Sequence, residues 1–421
     1  MMLRFSKIKY ILQQKNIKQA ISLLSVNILG IPLGIITNII VTRYLGPQLF
    51  GDYMFVQSVF NIAIVFFNFG LFYAGNRAIL LSKDNNKSRE LYGSMLLLLA
   101  LLACFISILV ALYALFDKNV AEKELSTVLL FSLPVGWIAL LGKLCEELFP
   151  ADNRIDLLTK SRLFTKVLNL LFVSAVFFFF KYWNINKLAL IIIIYALTQL
   201  IVYAYCMISV KPIFCSSKKR IREIANYNKT YGFNVFLGSL FASGFTSLTD
   251  LLISYFGADN AGVGFYSLAV TLSTPLLFIP ATIATTNYQS FAELNKIPQK
   301  LFRVTLLVSF IALIGLWIIV PPFVKICYGN AFEPVIRINF FVSVGMLGYG
   351  MADFINRFLC AKGAGKELRN ASFIVGAGVM AANLLFIPHF GEYGAAYAKI
   401  IASVVFLSVE IFYYNRIIRN A

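Results

Sequence analysis

Asp250, Lys399 and Glu410 stand inside long apolar stretches of a chain in which only 13% of residues are charged. An ionised side chain in such a stretch costs roughly 3 kcal/mol or more unless it is paired or hydrated. Each therefore marks a place where a bridge, an ion or an anionic ligand can be held. On a helical reading, Asp250 lies about six residues before one end of its apolar run, and Lys399 about seven after the start of its own. At 1.5 Å per residue both sit roughly 9–10 Å deep, which permits a pair. Glu410 follows Lys399 by eleven residues, almost the same helix face, so this stripe is expected to face a polar interior. The chemistry available is release of Lys399 by Asp250 when a proton, an ion or an anionic ligand arrives. The alternative is a static bridge.

Other polar groups sit at the ends of apolar runs. Arg77 and Arg357 each close one, and a guanidinium fork suits phosphate oxygens bidentately. Each arginine can equally be an anchor that snorkels to the interface. Asp353 precedes Arg357 by four residues, one helical turn, which favours a bridge within the helix. Glu146 and Glu147 close a run beside Lys143 and could bind a proton or sodium ion, or simply form a solvated helix end. Asn27, Asn38, Asn61, Asn68 and Gln57 lie within the first two runs. Amides there suit sugar hydroxyls, and also suit hydrogen bonds to neighbouring helices.

These side chains need a scaffold, and composition supplies its type. Of 421 residues 59% are hydrophobic, 40 are Phe and one is His (His389). Soluble domains carry about 25% charged residues. Apolar stretches of about 20 residues, enough to cross a bilayer core of about 30 Å, alternate with short polar loops. The chain is expected to be an all-α integral membrane protein of about twelve helices. Expected positions are 20–42, 53–75, 91–116, 126–148, 162–181, 188–209, 232–256, 262–286, 302–324, 337–359, 370–388 and 392–414. With the N-terminus inside, 29 of the 37 basic residues fall on inner segments and 7 on outer ones, Lys399 being within a span. The positive-inside rule then places both termini in the cytoplasm. The same rule accounts for the net charge of +18 without nucleic acid as a partner.

The expected divisions are a basic amphipathic segment at 1–19 on the inner leaflet, a six-helix lobe at 20–209 and a basic linker at 210–231. A second six-helix lobe at 232–414 and a cytoplasmic tail at 415–421 complete them. No cleavable signal is expected, because the apolar run after the basic start is too long for one. The six cysteines lack zinc-site spacing and read as small apolar residues. Gly363-Ala364-Gly365-Lys366 is not a phosphate loop, since Glu367 follows and Cys360 replaces the first glycine. No catalytic residue, metal site or cofactor is expected. An ion channel is disfavoured for want of a repeated filter-like loop.

The halves look related. Tyr44-Leu45-Gly46 with Phe50-Gly51-Asp52-Tyr53 is echoed, about half a chain later, by Tyr255-Phe256-Gly257 with Val263-Gly264-Phe265-Tyr266. Such a duplication is a transporter signature. Glycine suits both turns, where positive φ or tight closure is expected.

The segments RYLGPQLFGDY (43–53), Asn68-Phe69-Gly70-Leu71 with Gly75-Asn76-Arg77, and TDLLISYFGADNAGVGFYSLA (249–269) resemble bacterial polysaccharide exporters. These are the O-antigen flippases of the multidrug/oligosaccharidyl-lipid/polysaccharide (MOP) exporter superfamily. The resemblance implies two six-helix lobes working by alternating access in the bacterial inner membrane. It implies an undecaprenyl-diphosphate-linked oligosaccharide as substrate, carried from the cytoplasmic to the periplasmic leaflet. Membrane lipids, a polysaccharide polymerase and chain-length proteins are the implied partners. Two rivals are weighed. A drug/cation antiporter of the same superfamily typically has an acidic residue in its first helices, and the first run here has none. A membrane glycosyltransferase or polymerase generally needs a large outer loop, which this chain lacks.

Overall fold

Uncharged runs of Leu, Ile, Val, Phe and Ala leave the backbone to satisfy its own hydrogen bonds, and a helix does so within one segment. The computed structural model describes residues 15–82, 84–179 and 186–420. Every regular element among them is helical. We label the longer ones α1 (Lys15–Phe67), α2 (Leu71–Leu80), α3 (Asn85–Phe116), α4 (Leu133–Ala151), α5 (Ile155–Phe179) and α6 (Lys187–Val210). They continue with α7 (Ser217–Tyr227), α8 (Phe245–Phe256), α9 (Ala261–Thr286), α10 (Gln299–Phe323), α11 (Pro334–Ala361) and α12 (Gly365–Asn420).

Among the described residues, eight helical runs are long and apolar enough to cross a membrane. Two of them, α1 and α12, bend at a single glycine and hold two expected spans each. Two further spans are interrupted ones. Helix α4 carries Lys143, Glu146 and Glu147, and the 228–256 run is cut by π-helical turns at Asn228–Gly232 and Leu240–Gly244. The expected count of about twelve holds. Side chains such as Leu101, Phe116 and Ile318 lie exposed on these helices. Apolar exposure on this scale needs lipid around it.

Several boundaries differ from expectation, each for a local reason. The loop expected between the first two spans is helical throughout except at Gly46, whose φ of 77° only glycine adopts cheaply. Pro47 then opens the second arm, where its missing N–H costs nothing. That arm stops at Phe67, not at residue 75. Phe69 (φ 47°) and Gly70 (φ 81°) break the helix before α2 begins. The last two expected spans form one run bent at Gly391. In the basic linker, only 217–227 is helical before the π turn, and Ile213 N–H donates to the Arg89 carbonyl at 3.0 Å. Residues 1–14 of the expected amphipathic segment lie outside the described residues.

Two compact units make up the chain. One comprises 1–44 and 67–236, the other 45–66 and 237–421. The second arm of α1, expected with the first six spans, thus belongs to the second unit. The first unit is centred on buried Tyr92, Phe72, Met95 and Phe149, with the Tyr92 and Phe149 rings 6.4 Å apart. The second has an aromatic core of Phe291, Phe354 and Phe358, ringed by Leu301, Leu407 and Tyr414.

Candidate functional site

The second unit holds Asp250, Lys399, Asp353, Arg357 and Glu410 on its helices. Asp250 on α8 accepts a hydrogen bond from the Ser58 hydroxyl of α1 at 2.8 Å, with the Ser267 hydroxyl of α9 also bonding it. Lys399 on α12 acts on Asp250 electrostatically. Among the described residues the two form no direct ion pair. The Lys399 ammonium instead lies 4.8 Å from the ring centre of Tyr349 on α11, a cation–π contact. The buried Tyr349 hydroxyl has no hydrogen-bond partner among the described residues. Gly345 makes room for this arrangement, because a Cβ there would meet Lys399 Cγ at 2.9 Å. The expected pair is therefore a through-space one, with hydroxyls on the acid and a ring on the base.

Deeper along α11 the expected helical bridge forms. Arg357 Nε donates to Asp353 at 2.8 Å, and a second guanidinium nitrogen donates to the Thr285 hydroxyl at 2.9 Å. Within the same helical turn, Asn356, the residue before Arg357, donates to Glu410 Oε1 at 2.9 Å. Glu410 is fully buried, and its other carboxyl oxygen has no partner among the described residues.

A third cluster escaped the sequence reading. Asn260 donates to Asp52 at 2.8 Å and accepts from the buried Ser254 hydroxyl at 2.6 Å. Beside it the two repeated motifs meet. A Cβ on Gly51 would strike the Asn260 carbonyl, and one on Gly264 would lie 3.1 Å from the Gly51 nitrogen. Both glycines are thus fixed by close approach. Of the two turn glycines, Gly46 takes positive φ (77°), whereas Gly257 takes ordinary extended backbone (φ −85°). Part of the signal for this contact was present, since both glycines belong to the paired motifs, but Asn260 lies between the two parts of the second motif and carries no repeat signal of its own. Gln57 donates to the Tyr53 hydroxyl at 2.9 Å, whereas Asn61 is exposed.

Arg77, Asn38, Asn27 and Glu146 lie in the first unit. Arg77 is exposed on α2, its guanidinium carbon 5.7 Å from the Tyr231 ring centre. Asn76 donates to the Glu147 carbonyl at 2.6 Å, fastening α2 to α4. The break before α2 is held by Asn228, which donates to the Phe69 carbonyl at 3.1 Å, and by Asn68, which accepts from Gly70 N–H at 3.0 Å. Glu146 is bridged by Arg162, with Arg162 Nε at 2.9 Å, and Glu147 by Lys143 at 2.8 Å. Both acids are thus engaged by bases of their own unit. The Asn38 carbonyl accepts from the Thr42 hydroxyl at 2.7 Å. The side chain of Asn27 lies outside the described residues.

Outside the spans, α7 docks on the start of α3. Glu223 accepts from Lys87 at 2.7 Å and from Arg220 at 2.9 Å, and Arg220 also reaches Glu90 at 2.8 Å. Burial alone would push the Glu223 carboxyl up, but these two hydrogen bonds outweigh it and hold the group below the usual carboxylate range. Among the described residues, no three His, Cys, Asp or Glu side chains come together as a metal site.

Helices of this length, lipid-facing apolar surface and buried charge define a multi-pass membrane protein. Its fold is similar to those of a solved flippase and of solved MATE transporters. It matches "Lipid II flippase MurJ, inward closed conformation" with a TM-score of 0.70 and 16% identity, over 95% of this chain and 90% of that one. It also matches an inward-facing multidrug resistance MATE family transporter of the MOP superfamily, with a TM-score of 0.72 and 14% identity, over 95% and 98%. The crystal structure of a MATE point mutant gives a TM-score of 0.59 and 13% identity, over 97% of each chain. A family model described as "Polysaccharide biosynthesis protein" matches residues 17–294. The chain belongs to that family. No curated protein matches it.

Proposed function

We propose that the protein is a flippase that carries a lipid-linked oligosaccharide, of the undecaprenyl-diphosphate type used for O-antigen or a similar polysaccharide, from the cytoplasmic to the periplasmic leaflet. The observation that carries this reading is the charged and hydroxylated interior of the second unit around Asp250 and Lys399, in a chain of a polysaccharide biosynthesis family. A diphosphate-linked sugar needs cationic and hydroxyl groups where unpaired charge costs several kcal/mol. The reading makes the protein a transporter and not an enzyme, working by alternating access in the bacterial inner membrane with both termini cytoplasmic. Arg77 and Arg357 are its diphosphate contacts, and Gln57, Asn27, Asn38 and Asn61 its sugar contacts. Asp250, Lys399, Asp353, Glu146 and Glu410 are its coupling charges. A polymerase and chain-length proteins would receive the flipped unit.

Deletion of the gene tests this. Lipid-linked repeat units should accumulate on the inner leaflet and surface polysaccharide should fall. Normal surface polysaccharide after clean deletion, in a strain with no second exporter, would sink the proposal.

A further inference from the structure

Glu410 is fully buried, yet among the described residues one of its carboxyl oxygens has no hydrogen-bond partner. The other accepts from Asn356 at 2.9 Å. The ionisable groups acting on this site come from α11. Asp353 and the Cys360 thiol interact with Glu410 electrostatically, and Arg357 completes the charged set. Arg357 is already committed to Asp353 at 2.8 Å and to Thr285. If Glu410 were ionised, the cluster would hold two carboxylates against one guanidinium, with the excess charge on the more deeply buried group. With Glu410 as the neutral acid, Asp353 and Arg357 balance and no charge is left unpaired in the apolar interior.

We propose that Glu410, held by Asn356, is a proton-binding site within the second unit, taking up a proton on Oε2 and returning it to water. A proton fits what surrounds this carboxyl better than a metal cation does. A hard cation collects six or more oxygens, whereas Asn356 presents its NH₂ to Glu410 and turns its oxygen to the Cys360 thiol, 3.6 Å away. The role of this proton in driving export rests on the flippase reading above. The existence of the site does not.

Infrared difference spectroscopy separates the two. Full-length protein in liposomes is stepped between acidic and alkaline buffer, first in potassium alone and then with sodium added. The wild type should show the C=O stretch of a protonated carboxylic acid that is lost in alkali, is absent from Glu410→Gln and is indifferent to sodium. Asn356→Leu should shift that band, because the carbonyl loses its amide donor. This variant decides the matter if Glu410→Gln does not fold. Coincident wild-type and Glu410→Gln spectra, or an unshifted band in Asn356→Leu, would overturn the site. So would loss of the band on adding sodium at fixed pH, which would make the ligand a metal ion. None of these outcomes needs a transported substrate, so a failure of the export experiment leaves the test intact.

Discussion

Asn260 donates its side-chain amide to Asp52 at 2.8 Å, joining residues 208 positions apart. The bond lies where the two repeated motifs touch, and Ser254 fixes the other end of the same amide. Its neighbours Gly51 and Gly264 allow backbone to meet backbone, which explains why 45–66 is part of the second unit.

Gly51→Ala puts a methyl into the Asn260 carbonyl. Backbone cannot swing aside as a side-chain tip can, so an overpacking cost of about 1–3 kcal/mol is expected. Purified protein in detergent should show a lower midpoint of thermal unfolding. Gly34→Ala, where nothing lies within 4 Å of the added atom, is the control and should not lower it. An unchanged midpoint for Gly51→Ala would mean that the close approach is not a constraint.

Fold class and span number were legible because lipid imposes a length and a polarity that any apolar run reveals. Breaks were less legible. The Gly46 bend is marked by its own Gly-Pro pair, but the Phe69 turn depends on Asn228, far away in sequence, bonding its carbonyl. Asp353 with Arg357 was readable from i,i+4 spacing alone. Asp250 and Lys399 were readable as costly residues, whereas Ser58, Ser267 and Tyr349 were not, since a hydroxyl in a helix gains meaning only from what faces it. Glu146 was legible as an acid closing an apolar run, but its partner Arg162 sits on another helix and spacing along one helix does not reveal it.

The dock of α7 on α3 should loosen in acid. Glu223 has a folded pKa below its ordinary value of 4.5, so its contribution to stability is fully present above that value and is lost as pH falls through the folded one. Hydrogen exchange of residues 217–227 should therefore speed up at low pH after correction for the intrinsic rate. In Glu223→Gln the amide has no charge to lose, so exchange should be faster at neutral pH and much less pH-dependent. Parallel profiles for the two proteins would show that Glu223 does not hold the dock.

Arg77 separates charge from shape. Its exposed guanidinium rests on Tyr231 and keeps N–H groups available to an anion. Arg77→Ala should cut export about tenfold, the loss of one charged hydrogen bond of about 1.5 kcal/mol. Arg77→Lys should retain part of it, because lysine keeps the charge and loses the fork. Export is scored as surface polysaccharide at matched protein level. Wild-type export by Arg77→Ala would leave Arg77 as an interfacial anchor.

The sharpest expectation concerns Asp250 and Lys399. Their separation by more than a direct ion-pair contact, with Ser58 on one and Tyr349 beside the other, is what a breakable link requires. If Asp250 releases Lys399 during transport, Asp250→Asn should abolish export while the protein still inserts and survives gel filtration. Asp250→Lys with Lys399→Asp should restore charge balance and insertion without restoring export, because a lysine does not accept from Ser58 as the carboxylate does. Gly345→Ala gives an independent check, since its methyl would crowd the Lys399 stem at 2.9 Å and displace the ammonium from the Tyr349 ring. Export should fall there with both charges intact. Full export by the exchanged pair would mean that the two residues only balance each other's charge. Full export by Asp250→Asn alone would remove Asp250 from the mechanism.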